Sequence, residues 1–254
     1  MTSLRLPGLK VLGAVLAVAL WWVTSEASTN PYYPPLSRVL ESVHAYWITG
    51  LGQEDFASSM KNLGAGLGLA IMLGIGLGLI VGQNRLLDRA LSPSFEFIRA
   101  IPATALLPFA MLIFGLGTGM KVFIIALGCF FPILLNVIDG CRGLSPTLHD
   151  TTRSFGINGV FRQVFVVVPA IAARAAAGIK IAIPLGLILV VTSEMTGSNQ
   201  GIGYVLNNAQ NSFNLVAVWS AILILGMLGV VLNLVFGAVE RRGLRWYYDQ
   251  QART

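Results

Sequence analysis

Charge is what this sequence has least of. Of its 254 residues only 11% are Asp, Glu, Lys or Arg, 55% are hydrophobic, and mean hydropathy is +0.74. A soluble domain carries roughly 25% charged residues, and a fold with so few would leave large apolar patches facing water. That excludes an ordinary soluble enzyme, a disordered chain and a secreted disulfide mini-protein, and points to a polytopic membrane protein. Cysteine is nearly absent: Cys129 and Cys141 stand alone. Twelve residues along one helix is about 18 Å of rise, beyond the roughly 7 Å limit for a disulfide. The only histidines, His44 and His149, are far apart and belong to no His-Glu-x-x-His motif, so no metal site is expected. No Gly-x-x-x-x-Gly-Lys-Ser/Thr occurs, and no Gly-x-Gly-x-x-Gly follows a strand pattern, so the chain has no nucleotide loop of its own. A catalytic constellation is also lacking: His149 and Asp150 are the only neighbouring pair, and adjacent helix positions point apart. Aromatics interleaved with charges, as nucleic-acid binding would need, are missing.

What is present is apolar length. Six stretches approach the roughly 20 residues that cross 30 Å of hydrocarbon: about Val11–Ala27, Leu63–Val81, Ile98–Leu116, Met120–Ile138, Val166–Val191 and Leu215–Val239. The first has the basic start of a signal peptide, but Trp21 and Trp22 suit an interfacial belt and Glu26 spoils a small-residue cleavage pattern, so a retained anchor is expected. Residues 28–60 read as a Pro-containing extended piece and a short amphipathic helix on one surface. The remaining links are a basic turn at Gln83–Ser92, a tight Gly117-Thr118-Gly119 turn, a long polar segment Asp139–Gln163 and a Gly/Asn-rich segment Thr196–Asn214. Within the second span, Gly64, Gly68, Gly74, Gly78 and Gly82 recur at helix-face spacing and predict a close helix–helix seam.

Basic residues orient the chain. With the N-terminus inside, six spans return the C-terminus inside. Setting aside Arg99, Lys121, Arg174 and Lys180, which fall within or at the ends of spans, the inner side then holds Arg5, Lys10, Arg85, Arg89, Arg142, Arg153, Arg162, Arg241, Arg242, Arg245 and Arg253, the outer side Arg38 and Lys61. Both termini are therefore expected in the cytoplasm.

The segment between the fourth and fifth spans is too long for a minimal turn. Asp150 is placed to start or cap a short helix. Leu148, Thr152 and Phe155 would share one face, Gly156 would end the helix, and Val160, Phe161, Val164 and Phe165 would form a second apolar cluster before re-entry into lipid. A docking element for a cytoplasmic partner and a partnerless surface loop both fit that pattern.

Here the chain resembles binding-protein-dependent ABC importer permeases of type I. Their cytoplasmic signature runs Glu-Ala-Ala, three residues, Gly, nine residues, Ile-x-Leu-Pro. Asp150-Thr151-Thr152 takes the first three places, Gly156 the glycine, and Val166, Val168 and Pro169 the last. The spacing matches throughout; the chemistry departs at Glu→Asp and at both Ala→Thr positions. Arg99-Ala100-Ile101-Pro102, Leu107-Pro108, Phe114-Gly115, and Glu194 followed by Gly201-Ile202-Gly203-Tyr204 resemble the sulfonate, taurine and nitrate permease branch. The resemblance runs from about residue 60 to the C-terminus.

The resemblance implies an all-α fold of six transmembrane helices with a coupling helix at about 148–165. Residues 1–59 would form an anchor helix and extracytoplasmic segment, 60–240 the permease core, and 241–254 a basic cytoplasmic tail. It implies a homodimer in a bacterial inner membrane, with two separate ABC ATPase subunits that bind ATP and Mg, and an extracytoplasmic solute-binding protein that delivers a small organic or inorganic anion such as a sulfonate or nitrate. No cofactor is expected in this chain. Asp150, Thr151, Thr152, Arg153, Phe155, Gly156 and Phe161 would meet the ATPase, Gly156 making the sharp turn because glycine tolerates positive φ. Arg153 would either pair with acids there or remain a solvated positive-inside arginine.

Pathway residues are less sharply marked. Glu194, beside Thr192, Ser193 and Thr196, suggests a gate or outer hydrogen-bond cluster. Asn136, deep in the fourth span, would line the pathway or bond a neighbouring helix. Lys180, like Arg174, would snorkel to the inner surface or attract an anionic solute. Pro102, Pro108, Pro132 and Pro184 predict kinks. The rival reading is a self-sufficient secondary transporter or channel, for which neither an inverted repeat nor a buried ion site is visible.

Overall fold

A computed structural model describes residues 5–247; Arg253 lies outside them. The described chain is helical throughout its ordered elements: α1 (Arg5–Glu26), α2 (Leu36–Ser42), α3 (Gly52–Gly82), α4 (Arg85–Arg99), α5 (Leu107–Phe114), α6 (Thr118–Arg142), α7 (Pro146–Ser154), α8 (Gly159–Arg162), α9 (Val168–Gly197), α10 (Ile202–Asn211) and α11 (Leu215–Gly243). Short π-helical turns follow α2 and α8, and a 3-10 turn at Ala103–Leu106 precedes α5.

Helices α3, α6 and α9 form the core. Glycines on α3 let α6 approach backbone to backbone: a Cβ at Gly66 would fall 2.6 Å from the Ile125 side chain, at Gly78 2.7 Å from Val137, and at Gly82 2.8 Å from Cys141. These pairs rise together along both chains, so α3 and α6 are parallel. Helix α9 runs against them, with Gly178 on Pro132 and Asn136, and Gly140 on Ile171 and Arg174. The expected seam is therefore present at Gly74, Gly78 and Gly82. Gly64 and Gly68 are not part of it, having open space around them; Gly66, half a turn away, takes their place. Between the helices lie Ala70, Ile124, Ile125, Cys129, Ile133, Val137 and Ala182, all buried.

Two parallel spans joined in sequence need a crossing between them. It is not the continuous helix expected at Ile98–Leu116. The crossing is broken: α4 and the Ala103–Phe114 segment meet at 79°. Helix α4 begins where a turn was expected, because Asn84 caps it, its Oδ1 accepting from the N–H of Leu86 and Leu87. It ends ahead of Pro102, which disfavours helical geometry in the residue before it. Pro108 sits in the first turn of α5, where its missing N–H costs nothing, and Pro132 and Pro184 lie inside uninterrupted helices. Of the four prolines, only Pro102 marks a break.

Among the described residues four long apolar helices, α3, α6, α8–α9 together (Gly159–Gly197) and α11, are each long enough to cross a membrane, and the bent pair, taken as one broken span, makes a fifth. Helix α1 is held at its C-terminal end. Trp21 packs on Trp219, and Ser25 Oγ accepts from the Leu36 N–H at 3.1 Å. Its outer flank, Leu16, Leu20 and Val23, is bare, as suits lipid.

Candidate functional sites at the two ends of the bundle

At one end, α6 gives way to α7. The helix does not start at Asp150: Ser145 caps it, Oγ accepting from the Leu148 N–H, with Pro146 as its first residue. Asp150 is therefore mid-helix, beside Arg85, Asp88, Arg89 and Arg142 around a polar cleft. Arg142 clamps Asp88 with two guanidinium nitrogens, at 2.9 and 2.6 Å, tying α6 to α4. Thr151 Oγ1 donates to Thr147 O, Thr152 is buried, and Arg153 is exposed.

The end of α7 is a glycine-dependent stop. The Ile157 N–H donates to Thr152 O at 2.9 Å and the Gly156 N–H to Arg153 O at 3.1 Å, with Gly156 at φ +69°. This paired closure satisfies the last carbonyls and needs a left-handed residue at Gly156. Gly159, at φ +60°, makes a second corner. Just before the turn Phe155 is 77% exposed, and beyond it Val160 is 78% exposed, with Phe161, Val164 and Phe165 bare as well. Phe161 and Phe165 pack ring on ring at 4.4 Å. Of Leu148, Thr152 and Phe155, Thr152 is buried and Phe155 exposed.

Midway along the bundle, an apolar cleft of about 370 Å³ opens beside the α4–α5 break, walled by Ile101, Pro102, Thr104, Gly128, Leu135 and Ile188. Arg99 lies at its edge, ion-paired to Glu96. None of the residues singled out from sequence as pathway candidates lines it. Asn136 bonds its own helix, Nδ2 donating to Pro132 O at 2.8 Å, and packs against Gly178 on the α6–α9 seam. Lys180 is exposed, with Nζ 3.9 Å from Glu240 of α11. Thr192 donates back to Ile188 O.

The opposite end is held by a buried carboxylate. Glu194 is 1% exposed. Its Oε2 accepts from Ser59 Oγ at 2.7 Å and from the Gly203 N–H at 3.1 Å, and its Oε1 accepts from Asn62 Nδ2 at 3.2 Å. Ser59 Oγ in turn accepts from the Ile202 N–H, and Asp55 Oδ1 from the Gly201 N–H, both at 2.8 Å. Two acids and a serine thus cap α10, a helix within the Gly/Asn-rich link at Thr196–Asn214, and pin it to α3 and α9. The backbone comes so close that a Cβ at Gly201 would meet Glu194 Oε2 at 2.3 Å, and one at Gly203 would meet Val191 O at 2.3 Å. Tyr46 donates to Asp55 Oδ2 at 2.7 Å; burial, then the Asp55 carboxylate, pushes its phenol well above the usual range, keeping it a donor. The Gly-x-Gly at 201–203, seven residues after Glu194, is the visible signal; that it starts a helix is not.

With this geometry in view, comparison with known proteins is direct. Residues 70–244 match the family described as binding-protein-dependent transport system inner membrane component. An ABC transporter permease protein of Methanocaldococcus jannaschii is 31% identical over 95% of this chain and 90% of its own length. The formylaminopyrimidine transport permease protein ThiX of Halalkalibacterium halodurans is 28% identical over 89% and 90%, and the taurine transport system permease protein TauC of Escherichia coli 25% identical over 94% and 89%. The fold matches a chain of the MetNI methionine ABC transporter in an inward facing conformation, with a TM-score of 0.62, 18% identity, and coverage of 73% of this chain and 92% of that one. The chain belongs to the binding-protein-dependent ABC transporter permeases, membrane subunits with the type I importer fold.

Proposed function

We propose that this chain is the transmembrane half of an ATP-driven importer, working as a pair of identical copies, with α7 and the turn after it seated in a groove of a separate ABC ATPase. The observation that carries the reading is the bare apolar group of Phe155, Val160, Phe161, Val164 and Phe165, set beyond a glycine-stopped helix. Exposed aromatics at a rigid, polar-rimmed corner suit burial against a protein partner. In this reading Asp150, Thr151 and Arg153 give α7 its polar rim, Gly156 its stop, and Phe155 and Phe161 its anchors. ATP and Mg belong to the partner. The α7 end and both termini lie in the cytoplasm, and α10 faces outward toward a solute-binding protein. The core begins with α3 at Gly52, since a division at residue 59 would cut that helix, and the basic tail follows α11.

The solute passes along the mid-bundle cleft. We assign it to small organic or inorganic anions such as sulfonates or nitrate, in line with the taurine permease among the relatives; the formylaminopyrimidine permease marks a wider range within the family. Gly156→Pro tests the coupling role, because proline is fixed near φ −65° and cannot take +69°. The variant is expected to insert normally, yet lose ATPase co-purification or solute-stimulated ATP hydrolysis by tenfold or more (about 1.4 kcal/mol or more). Normal uptake by this variant, or transport by the wild type in liposomes without an ATPase, would remove the reading; the latter would favour a self-sufficient transporter.

A further inference from the structure

A further cavity, of about 480 Å³, lies at the α10 end, apart from the polar cleft beside α7 and from the mid-bundle cleft. Ser58, Thr118, Lys121, Ser198, Asn199 and Gln200 contribute to its wall. Lys121 is the one charged residue among the described residues that line it, and it is only 6% exposed. Its Nζ donates to Ser198 Oγ at 2.6 Å, and among the described residues no carboxylate comes within ion-pair distance of it. Both oxygens of Glu194 are already engaged by Ser59, Asn62 and Gly203, and those of Asp55 by Gly201 and Tyr46. Neither acid belongs to the cavity wall. An ammonium with one of its three hydrogens bonded has room for further acceptors.

The backbone adds to the same field. Helix α6, 25 residues long, starts at Thr118 on the cavity wall, and no side chain caps it. Its first N–H groups therefore lack intrahelical partners, and its positive end faces the space into which Lys121 projects. Around Gly117 nothing would obstruct even a Cβ, so a ligand can approach the main chain closely. Lysine, an open helix N-terminus and uncharged Ser, Asn and Gln groups make a wall suited to oxygens of negative charge.

We propose that this cavity is an anion-binding site at the outer mouth of the chain, taking a small oxyanion or a solute headed by a sulfonate group. The proposal deepens the importer reading and rests on it for the direction of travel, but binding at Lys121 can be measured without any ATPase. The test is thermal unfolding of the full chain in phosphatidylcholine nanodiscs at constant ionic strength, titrated with nitrate or ethanesulfonate against neutral urea. The wild type is expected to show saturable stabilisation by the anions alone. Lys121→Met should raise the half-saturating concentration about tenfold or more, and Lys121→Arg should restore most of the response. Should Lys121→Met fail to fold, Asn199→Asp decides: a fixed carboxylate in the cavity should abolish the anion response. An unchanged response in Lys121→Met, or in Asn199→Asp, overturns the proposal. So does stabilisation that appears only when phosphatidylglycerol replaces part of the lipid, since the occupant would then be a headgroup. A chain that binds anions at Lys121 yet never captures an ATPase would sink the importer reading alone; one that captures an ATPase with no anion response would sink this one alone.

Discussion

Glu194 was legible as an unusual residue, because a carboxylate at the end of an apolar run is costly to insert. Sequence offers a gate or an outer hydrogen-bond cluster; the structure gives Glu194 three donors from α3 and α10, and no lining position in either the mid-bundle cleft or the Lys121 cavity. Glu194→Ala would leave Ser59, Asn62 and Gly203 without their acceptor in a dry site. It should destabilise the chain by about 3 kcal/mol, read as a large drop in the thermal unfolding midpoint of the detergent-solubilised protein. Gly203→Ala should act in the same direction through its clash with Val191 O. Midpoints equal to the wild type in both would show that α10 is held by something else. Which residues would bond it is not readable in the sequence, because hydrogen-bond partners more than 130 residues apart leave no local pattern.

Helix periodicity carried the elements well where one face alone mattered. On α3 it found Gly74, Gly78 and Gly82 but also chose Gly64 and Gly68, which point into open space. Glycine spacing says where backbones are able to meet; which row meets a neighbour depends on the tilt of α6, and tilt is not written locally. The two rows give a matched pair. Gly78→Leu must drive a side chain into Val137 and the Leu134 carbonyl and should cost at least about 3 kcal/mol. Gly76→Leu meets nothing within 4 Å and should stay within about 0.5 kcal/mol of wild type. Denaturant unfolding of the two variants side by side checks the seam; equal stabilities would deny it. The broken crossing at Ala100–Pro102 is the other element that periodicity misread. The apolar run continues through Pro102, but backbone geometry does not, and α4 had been hidden by its charges: Arg85, Asp88 and Arg89 lie along one capped, amphipathic helix.

For the whole molecule, composition alone settled the membrane class, and one spaced motif pointed to the family. The orientation across the membrane belongs to the proposal and has a direct check. Cysteines placed at Arg153, after removal of Cys129 and Cys141, should react with a membrane-impermeant maleimide only in inverted vesicles, and cysteines at Asn199 only in right-side-out ones. Both sites are exposed, so equal labelling from one side would contradict the assignment of α7 to the cytoplasm.

The two ends are joined in a simple way. From Gly159 to Gly197 the chain is helical for 39 residues without a gap, about 58 Å at the helical rise. One tip carries the bare aromatics after Gly156; the other carries Glu194 and its grip on α10. On the proposed coupling, a displacement imposed at Phe161 would have to reach Glu194 and α10 along this one helix, through the π-turn at Gln163–Val167 and past Pro184.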